Sequence, residues 1–400
     1  MRIGLIKETK SPVDNRVVLA PEQVAALNHR YPQHQIVVQN SDIRAFTDEE
    51  YREAGILVVD DLSDCDLLMG VKEVEINALI PNKRYFFFGH IAKMQPYNKP
   101  LLQRMIAQHI TFADYEYLVD GNGKRVCAFG WWAGVVGVYY TLQGYGLREG
   151  LYTLPKPSLS SSLDNLIEQL KKISLPPVKV LVTGNGRVSH GAQFILDKIG
   201  AVRLTDSEFL QMETVPSLSY CVATHEHLVK HMDGDIPFSS SYFKDHPEEY
   251  CSDFEKWSMS TDILITAHFW EKRAPVYLDE AGLKRTRIRM IGDVTCDIRG
   301  SIMSTLRSST HSDPFYDYNP STGKEETAFS SKDNITVMAV DTCPNALARD
   351  TSKYFGGLLT EFVMAPLLEN KSSKIIEGAT ILKEGHLTTR FAYLDDFARE

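Results

Sequence analysis

Val180-Leu-Val-Thr-Gly184-Asn-Gly186-Arg187-Val-Ser189-His-Gly191-Ala192 reads as a β-branched strand that ends in glycines and opens a helix. Strand, glycine turn and helix amino terminus, in that order, form the βα unit that receives a dinucleotide. Gly184 permits the tight turn. Gly186 lets the backbone approach a pyrophosphate, whose charge the helix amides and dipole then meet. Arg187 follows the second glycine, and Ser189 stands where the third glycine of the pattern would be. Asp206 lies 20 residues beyond Gly186, at the end of the next short apolar run. A carboxylate there accepts hydrogen bonds from the adenine ribose hydroxyls and repels a 2′-phosphate, so the spacing predicts NAD. Arg203 beside it leaves NADP open as the alternative. An ordinary tight turn would also use these glycines; the strand before, the helix after and the acid at that distance favour the nucleotide.

On both sides of this unit, short apolar runs alternate with helical patterns. Strands are expected at residues 3–6, 36–38, 67–71, 86–88 and 111–114, and helices from Pro21 and over 49–54 and 101–109. The same alternation continues with strands at 178–183, 202–204, 262–266, 289–291 and 335–340 and a helix at 192–199. The expected class is therefore α/β, with two Rossmann-like domains whose parallel sheets face across a cleft. The first would comprise residues 1–140 plus 351–400 and carry substrate and catalysis; the second, 141–350, would hold NAD. A proline- and serine-rich stretch at 155–163 is expected to be a surface connection or hinge. Residues 307–334, polar and rich in turn formers, are expected to be a long loop. From Phe355 an apolar stripe predicts a helix that crosses back to the first domain.

The 400 residues suffice for two or three domains at roughly 150 residues each. A hydrophobic share of 43% with 24% charged residues excludes a disordered chain. The net charge of −9, unbroken by a basic cluster, argues against nucleic acid and anionic membrane as partners, so a small molecule is expected. Six scattered cysteines without a CxxC pair give no zinc ribbon and read as reduced thiols. The opening residues lack a signal-peptide core, which predicts a cytoplasmic protein. Residues 126–147 carry no charge and are long enough to span a bilayer, yet five glycines and Gln143 interrupt them, and a buried, tightly packed helix is the expectation.

Gly70-Val-Lys72-Glu73 and Phe88-Gly89-His90-Ile-Ala-Lys93 end two expected strands, with Lys72 and His90 18 residues apart and at the same edge of a parallel sheet. Ligands bind at that edge in open α/β folds. A lysine and a histidine there are suited to the proton transfers of an amine oxidation, although each alone is more often a surface lysine and a satisfied core histidine. Arg16, Glu116 and Arg125 are plain charged residues until something ties them together. His225-Glu-His227-Leu-Val-Lys-His231 would bring imidazoles together for a metal if helical, but no further ligand stands at a recognisable spacing and no metal is expected. Asp293 and Asp341 follow expected strands, where they line a cleft or cap helices.

Taken together, the chain resembles the saccharopine dehydrogenase (lysine-forming) and lysine-ketoglutarate reductase family, which is similar to alanine dehydrogenase and the transhydrogenase nucleotide domain. The residues that carry this are Lys7-Glu-Thr-Lys10 and Arg16, the Lys72 and His90 motifs, Asp114-Tyr-Glu116, Arg125-Val-Cys-Ala-Phe-Gly130, the 183–193 glycine turn, Asp293-Val-Thr-Cys-Asp297 and Val337-Met-Ala-Val-Asp341. The resemblance implies that Lys72 and His90 are the acid/base pair. It implies that Arg16 and Arg125 bind substrate carboxylates, and that Lys93 and Glu116 are charged groups tuning the pair. Gly184, Gly186, Arg187, Ser189, Asp206 and Asp341 become the cofactor contacts. Val188 and Ala267 stand where fungal members carry paired cysteines, so redox control of that kind is not expected. The implied reaction oxidises a secondary amine to an amino acid and a 2-oxo acid with NAD(P), or runs in reverse, in a monomer or homodimer. An alanine dehydrogenase-like enzyme and an NAD-binding protein without activity are the alternatives.

Overall fold

Strands β1 (Arg2–Leu5), β2 (Gln35–Gln39), β3 (Val58–Val59), β4 (Leu67–Met69), β5 (Arg84–Phe87) and β6 (Thr111–Asp114) pair in the order β3-β2-β1-β4-β5-β6. Every pairing is parallel in the computed structural model, which describes residues 1–9 and 11–399. Lys10, quoted above in the Lys7–Lys10 motif, lies outside the described residues. Phe86 joins the core on one face of the sheet, and Tyr85 and Phe87 the core on the other. Burial on both faces is what makes these strands read as unbroken apolar runs. Two strands absent from the sequence expectation extend the sheet: Thr380–Lys383 pairs antiparallel to β6, and His386–Leu387 antiparallel to Thr380–Lys383. The chain runs outward from β1 to β3, then returns to β4 beside β1. The carboxyl ends of β1 and β4 therefore meet at a reversal of strand order, where such folds bind ligands.

The second sheet contains β7 (Lys179–Thr183), β8 (Val202–Arg203) and β9 (Ser219–Ala223), while β10 (Val229–His231) and β11 (Tyr250–Ser252) form a separate antiparallel ribbon. Strands β12 (Ile263–Thr266), β13 (Met290–Asp293), β14 (Phe315–Asn319), β15 (Lys324–Glu326) and β16 (Ile335–Met338) complete the sheet. Its order is β15-β14-β16-β13-β12-β7-β9-β8, parallel from β8 to β16 and antiparallel at β14 and β15. The expected loop at 307–334 is thus corrected. It contains a hairpin whose inner strand carries a buried acid, Asp317, that accepts a hydrogen bond from the Thr336 hydroxyl at 2.7 Å. The expected imidazole helix is corrected as well, because it ends at Leu228 and His231 belongs to β10.

The compact units are Met1–Phe129 with Leu347–Glu400, and Gly130–Ala346. The second therefore starts at the first residue of the helix Gly130–Glu149 and not at residue 141. That helix is buried along most of its length and packs against the helix Arg187–Lys198. A β-carbon at Gly134 would overlap the Val188 carbonyl, and one at Gly191 would overlap that of Trp131. Close helix approach explains the glycines, and no helix among the described residues is long and apolar enough to cross a membrane. In the first unit Phe355, Leu359 and Val363 of the carboxy-terminal helical segment join the core over β1.

Candidate active site

In the first unit, the segments after β1, β4, β5 and β6 supply Glu8, Lys72, His90 and Glu116 in turn. Buried Glu8 accepts the Val71 amide at 2.6 Å and the Lys72 amide at 2.8 Å, which fixes the backbone that presents Lys72. Burial, with Asp14 beside it, pushes the Glu8 carboxyl up to about 8. Burial works to raise Asp14 too, but the Arg16 guanidinium holds it below the usual carboxylate range. Arg16 pairs with that carboxylate, donating from Nε at 2.9 Å, and lies over the Phe129 ring at 4.2 Å. His90 has φ +52, a left-handed backbone uncommon outside glycine. Asp114 holds it there, one oxygen accepting the Gly89 and His90 amides at 3.1 and 3.0 Å. Backbone strain held in this way is a recurrent feature of functional sites.

His90 Nδ1 donates to the Glu73 carboxylate at 2.9 Å. A carboxylate only accepts, so the ring proton sits on Nδ1 and Nε2 is the atom that can exchange a proton. Glu116 pairs with Lys93 at 3.1 Å and Arg125 at 3.5 Å, while its second oxygen is buried with no hydrogen-bond partner among the described residues. The unit therefore offers a lysine, an oriented imidazole, the buried acids Glu8, Asp14 and Asp114, and three further cations along one sheet edge.

In the second unit, Gly184 has φ +84 and a β-carbon there would crowd the Ala267 carbonyl and His268 backbone. Gly186 differs: its backbone is ordinary and a β-carbon would meet nothing within 4 Å. It caps the 12-residue helix Arg187–Lys198, whose first-turn amides have no acceptor within the helix. Open space over a helix amino terminus fits a pyrophosphate. Asp206 opens the helix Asp206–Gln211 and lines a cavity of about 600 Å³ with Arg203, Thr205, Ser207 and Cys221. The size of the cavity and the Asp206 carboxylate at its mouth would suit an adenosine ribose. Arg187 begins the helix, Ser189 is buried with its hydroxyl accepting from Gln193 at 3.0 Å, and exposed Asp341 follows β16. Asp293 is turned inward, accepting from the Thr295 hydroxyl at 2.6 Å and from Thr266 and Thr305, so it ties loops together and caps no helix.

The turn itself is buttressed by buried His268, whose Nδ1 meets the Thr183 hydroxyl at 2.6 Å and Nε2 the Ser301 hydroxyl at 2.8 Å. Burial, with His225 near, lowers its pKa from 6.5 to about 3. The unfolded chain takes a proton at this residue as pH falls below about 6.5, and the folded chain does not. Stability is therefore lost on acidification from pH 7 to pH 5, by about 2 kcal/mol from this group. Urea unfolding of wild type and His268→Gln at both pH values checks this: the wild type should lose that much more than the variant.

Neither Glu8, Asp14 nor Asp114 was proposed as a site residue from the sequence, although Glu8 and Asp114 lie within quoted motifs. The only signal for Glu8 and Asp114 was an acid at or near a strand end, and Asp14 carried none. Two α/β units of this construction define the fold of alanine dehydrogenase and transhydrogenase. L-alanine dehydrogenase superposes with a TM-score of 0.66 at 17% identity, over 99% of each chain. Transhydrogenase from Sinorhizobium meliloti gives 0.61 at 15%, over 97% of this chain and all of that one. Residues 4–136 match the family model described as alanine dehydrogenase/PNT, N-terminal domain.

More particular relatives follow from sequence. Over 98% of its length the chain is 31% identical to the alpha-aminoadipic semialdehyde synthase of Arabidopsis thaliana, covering 41% of that protein. It is 27% identical to the mitochondrial synthase of Bos taurus, covering 47%. The saccharopine dehydrogenase (NAD(+), L-lysine-forming) of Candida glabrata is 26% identical over 87% of each chain. These proteins are homologues of the chain, which spans about half the length of the synthases it matches.

Proposed function

We propose that the chain is an NAD(P)-dependent dehydrogenase of the saccharopine type, acting on the carbon–nitrogen bond of a secondary amine. In the oxidative direction saccharopine, NAD and water give lysine, 2-oxoglutarate, NADH and a proton; the reverse is a reductive condensation. The observation that carries this is the set of Lys72, His90 and Glu116 at neighbouring strand ends of one parallel sheet, each held by a second charged or backbone group. The names of the relatives support the substrate class.

Gly184, Gly186, Arg187, Ser189, Asp206 and Asp341 would hold the nucleotide, which supplies a hydride acceptor. NAD is preferred because Asp206 carries negative charge where a 2′-phosphate would add more. Lys72 takes the proton of the substrate's secondary amine. His90, its Nδ1 proton engaged by Glu73, takes a proton from water at Nε2 as the imine is hydrated. It returns that proton to the departing amine. Arg125 and Arg16 hold substrate carboxylates, for which a planar fork is suited. Lys93 and Glu116 set the field around the pair. Six cysteines without disulfides fit a reducing compartment, and we place the enzyme in the cytoplasm.

The amino-terminal match also keeps an alanine dehydrogenase-type deamination as the second reading. Following NADH and NADPH absorbance with 2-oxoglutarate or pyruvate against lysine, other amines and ammonia separates the two. Oxidation dependent on lysine with 2-oxoglutarate supports the first, turnover of ammonia with pyruvate the second. No turnover with any pair would overturn both.

A further inference from the structure

The histidines of His225-Glu-His227-Leu-Val-Lys-His231 do not converge on a common point. His225 Nε2 meets the Phe269 carbonyl at 3.0 Å, His231 Nε2 the Glu249 carboxylate at 3.3 Å, and His227 Nε2 the Asp206 carboxylate at 3.0 Å. No group of three or more metal-ligating side chains stands together among the described residues. His227 alone of the three reaches the acid at the mouth of the nucleotide cavity.

Its ring is fixed on several sides. Nδ1 accepts the Thr224 amide at 3.0 Å, and since an amide only donates, the proton of the neutral ring is on Nε2. Nε2–H therefore donates to Asp206. The ring stands edge-on to Trp257, with centroids 5.9 Å apart at 67°, and the Trp257 indole donates to the His227 carbonyl at 2.8 Å. Asp206 takes a second contact on its other oxygen from the Cys221 thiol at 3.3 Å. Arg203 lines the same cavity, and Glu226 lies 3.9 Å from Nε2.

We propose that His227 is the specificity-determining positioning residue of this site, holding the Asp206 carboxylate in the orientation that selects an unphosphorylated adenine ribose. The proposal rests on the nucleotide reading of the second unit. A carboxylate offers about four lone-pair positions. His227 and Cys221 occupy two, and two remain for the neighbouring 2′- and 3′-hydroxyls. A 2′-phosphate has no proton to donate and adds charge beside a carboxylate that cannot swing away.

The test is the dissociation constant of NADH and of NADPH, by fluorescence titration of the full chain, for wild type, His227→Phe and His227→Gln. His227→Phe keeps a ring against Trp257 without the donor. It should weaken NADH about tenfold, the loss of one hydrogen bond to a charged group, and leave NADPH within about twofold. His227→Gln restores an N–H near the Nε2 position and should recover most of the NADH preference. If His227→Phe fails to unfold cooperatively, His227→Leu takes its place. An unchanged NADH to NADPH ratio in a folded variant, or a glutamine variant as weak as the phenylalanine one, overturns the proposal while the nucleotide site stands. Failure of the wild type to bind either nucleotide overturns the nucleotide reading and the proposal with it.

Discussion

Lys72→Met is expected to lower turnover by about two to four orders of magnitude while leaving the dissociation constant of NADH nearly intact. Methionine retains the unbranched apolar stem and the backbone amide, so the hydrogen bond from residue 72 to buried Glu8 survives and the strand end keeps its path. What disappears is the amine proposed to accept the substrate proton. Loss of a group that acts only in the transition state lowers kcat and kcat/KM together, with little change in KM. His90→Gln should behave similarly, because glutamine can reach toward Glu73 but offers no basic ring nitrogen to accept a proton where Nε2 stood. The proposed nucleotide contacts lie in the second unit, which predicts that binding and chemistry separate in both variants. Steady-state kinetics in both directions, with NADH titrations beside them, give the answer; full activity in both variants would remove Lys72 and His90 from the mechanism.

Both α/β units could be read from the sequence because their determinants are local. Gly184 and Gly186 sit inside one turn, and Lys72 and His90 each lie just past a run of buried strand residues. The acids that hold the first site were not legible in the same way. Glu8 acts on amides 63 and 64 residues away, and Asp114 on amides 24 and 25 residues away, so nothing in their own neighbourhoods distinguishes them from solvated carboxylates. The β14–β15 hairpin was hidden for a related reason. Asp317 interrupts the apolar pattern of Phe315–Asn319, and the Thr336 hydroxyl and the Ser330 amide, distant in sequence, help make an acid tolerable in a buried strand. The glycines of the helix Gly130–Glu149 announced close packing, and the partner became apparent only with Val188 and Gly191 in place.

Gly186→Val is expected to weaken NADH binding at least about tenfold and leave the unfolding midpoint nearly unchanged, whereas Gly184→Ala should damage both. The two glycines are separated by a single residue, yet they are glycine for different reasons. At Gly184 the backbone is left-handed and a β-carbon would lie 2.7 Å from His268 Cα and 2.8 Å from the Ala267 carbonyl. Alanine there carries the cost of the left-handed conformation, about 1 kcal/mol, and pushes against backbone that cannot yield. The displaced turn would also move Thr183, which anchors His268. At Gly186 neither penalty applies, since φ is −82 and the added carbon meets empty space. The folded protein alone gives no cause for glycine at that position. A ligand does: bulk over the helix amino terminus would exclude a pyrophosphate from the amides that bind it. Thermal unfolding and NADH titration of the two variants therefore distinguish space required by the fold from space kept for the nucleotide. A Gly186→Val protein that binds NADH as the wild type does would mean that the pyrophosphate lies elsewhere.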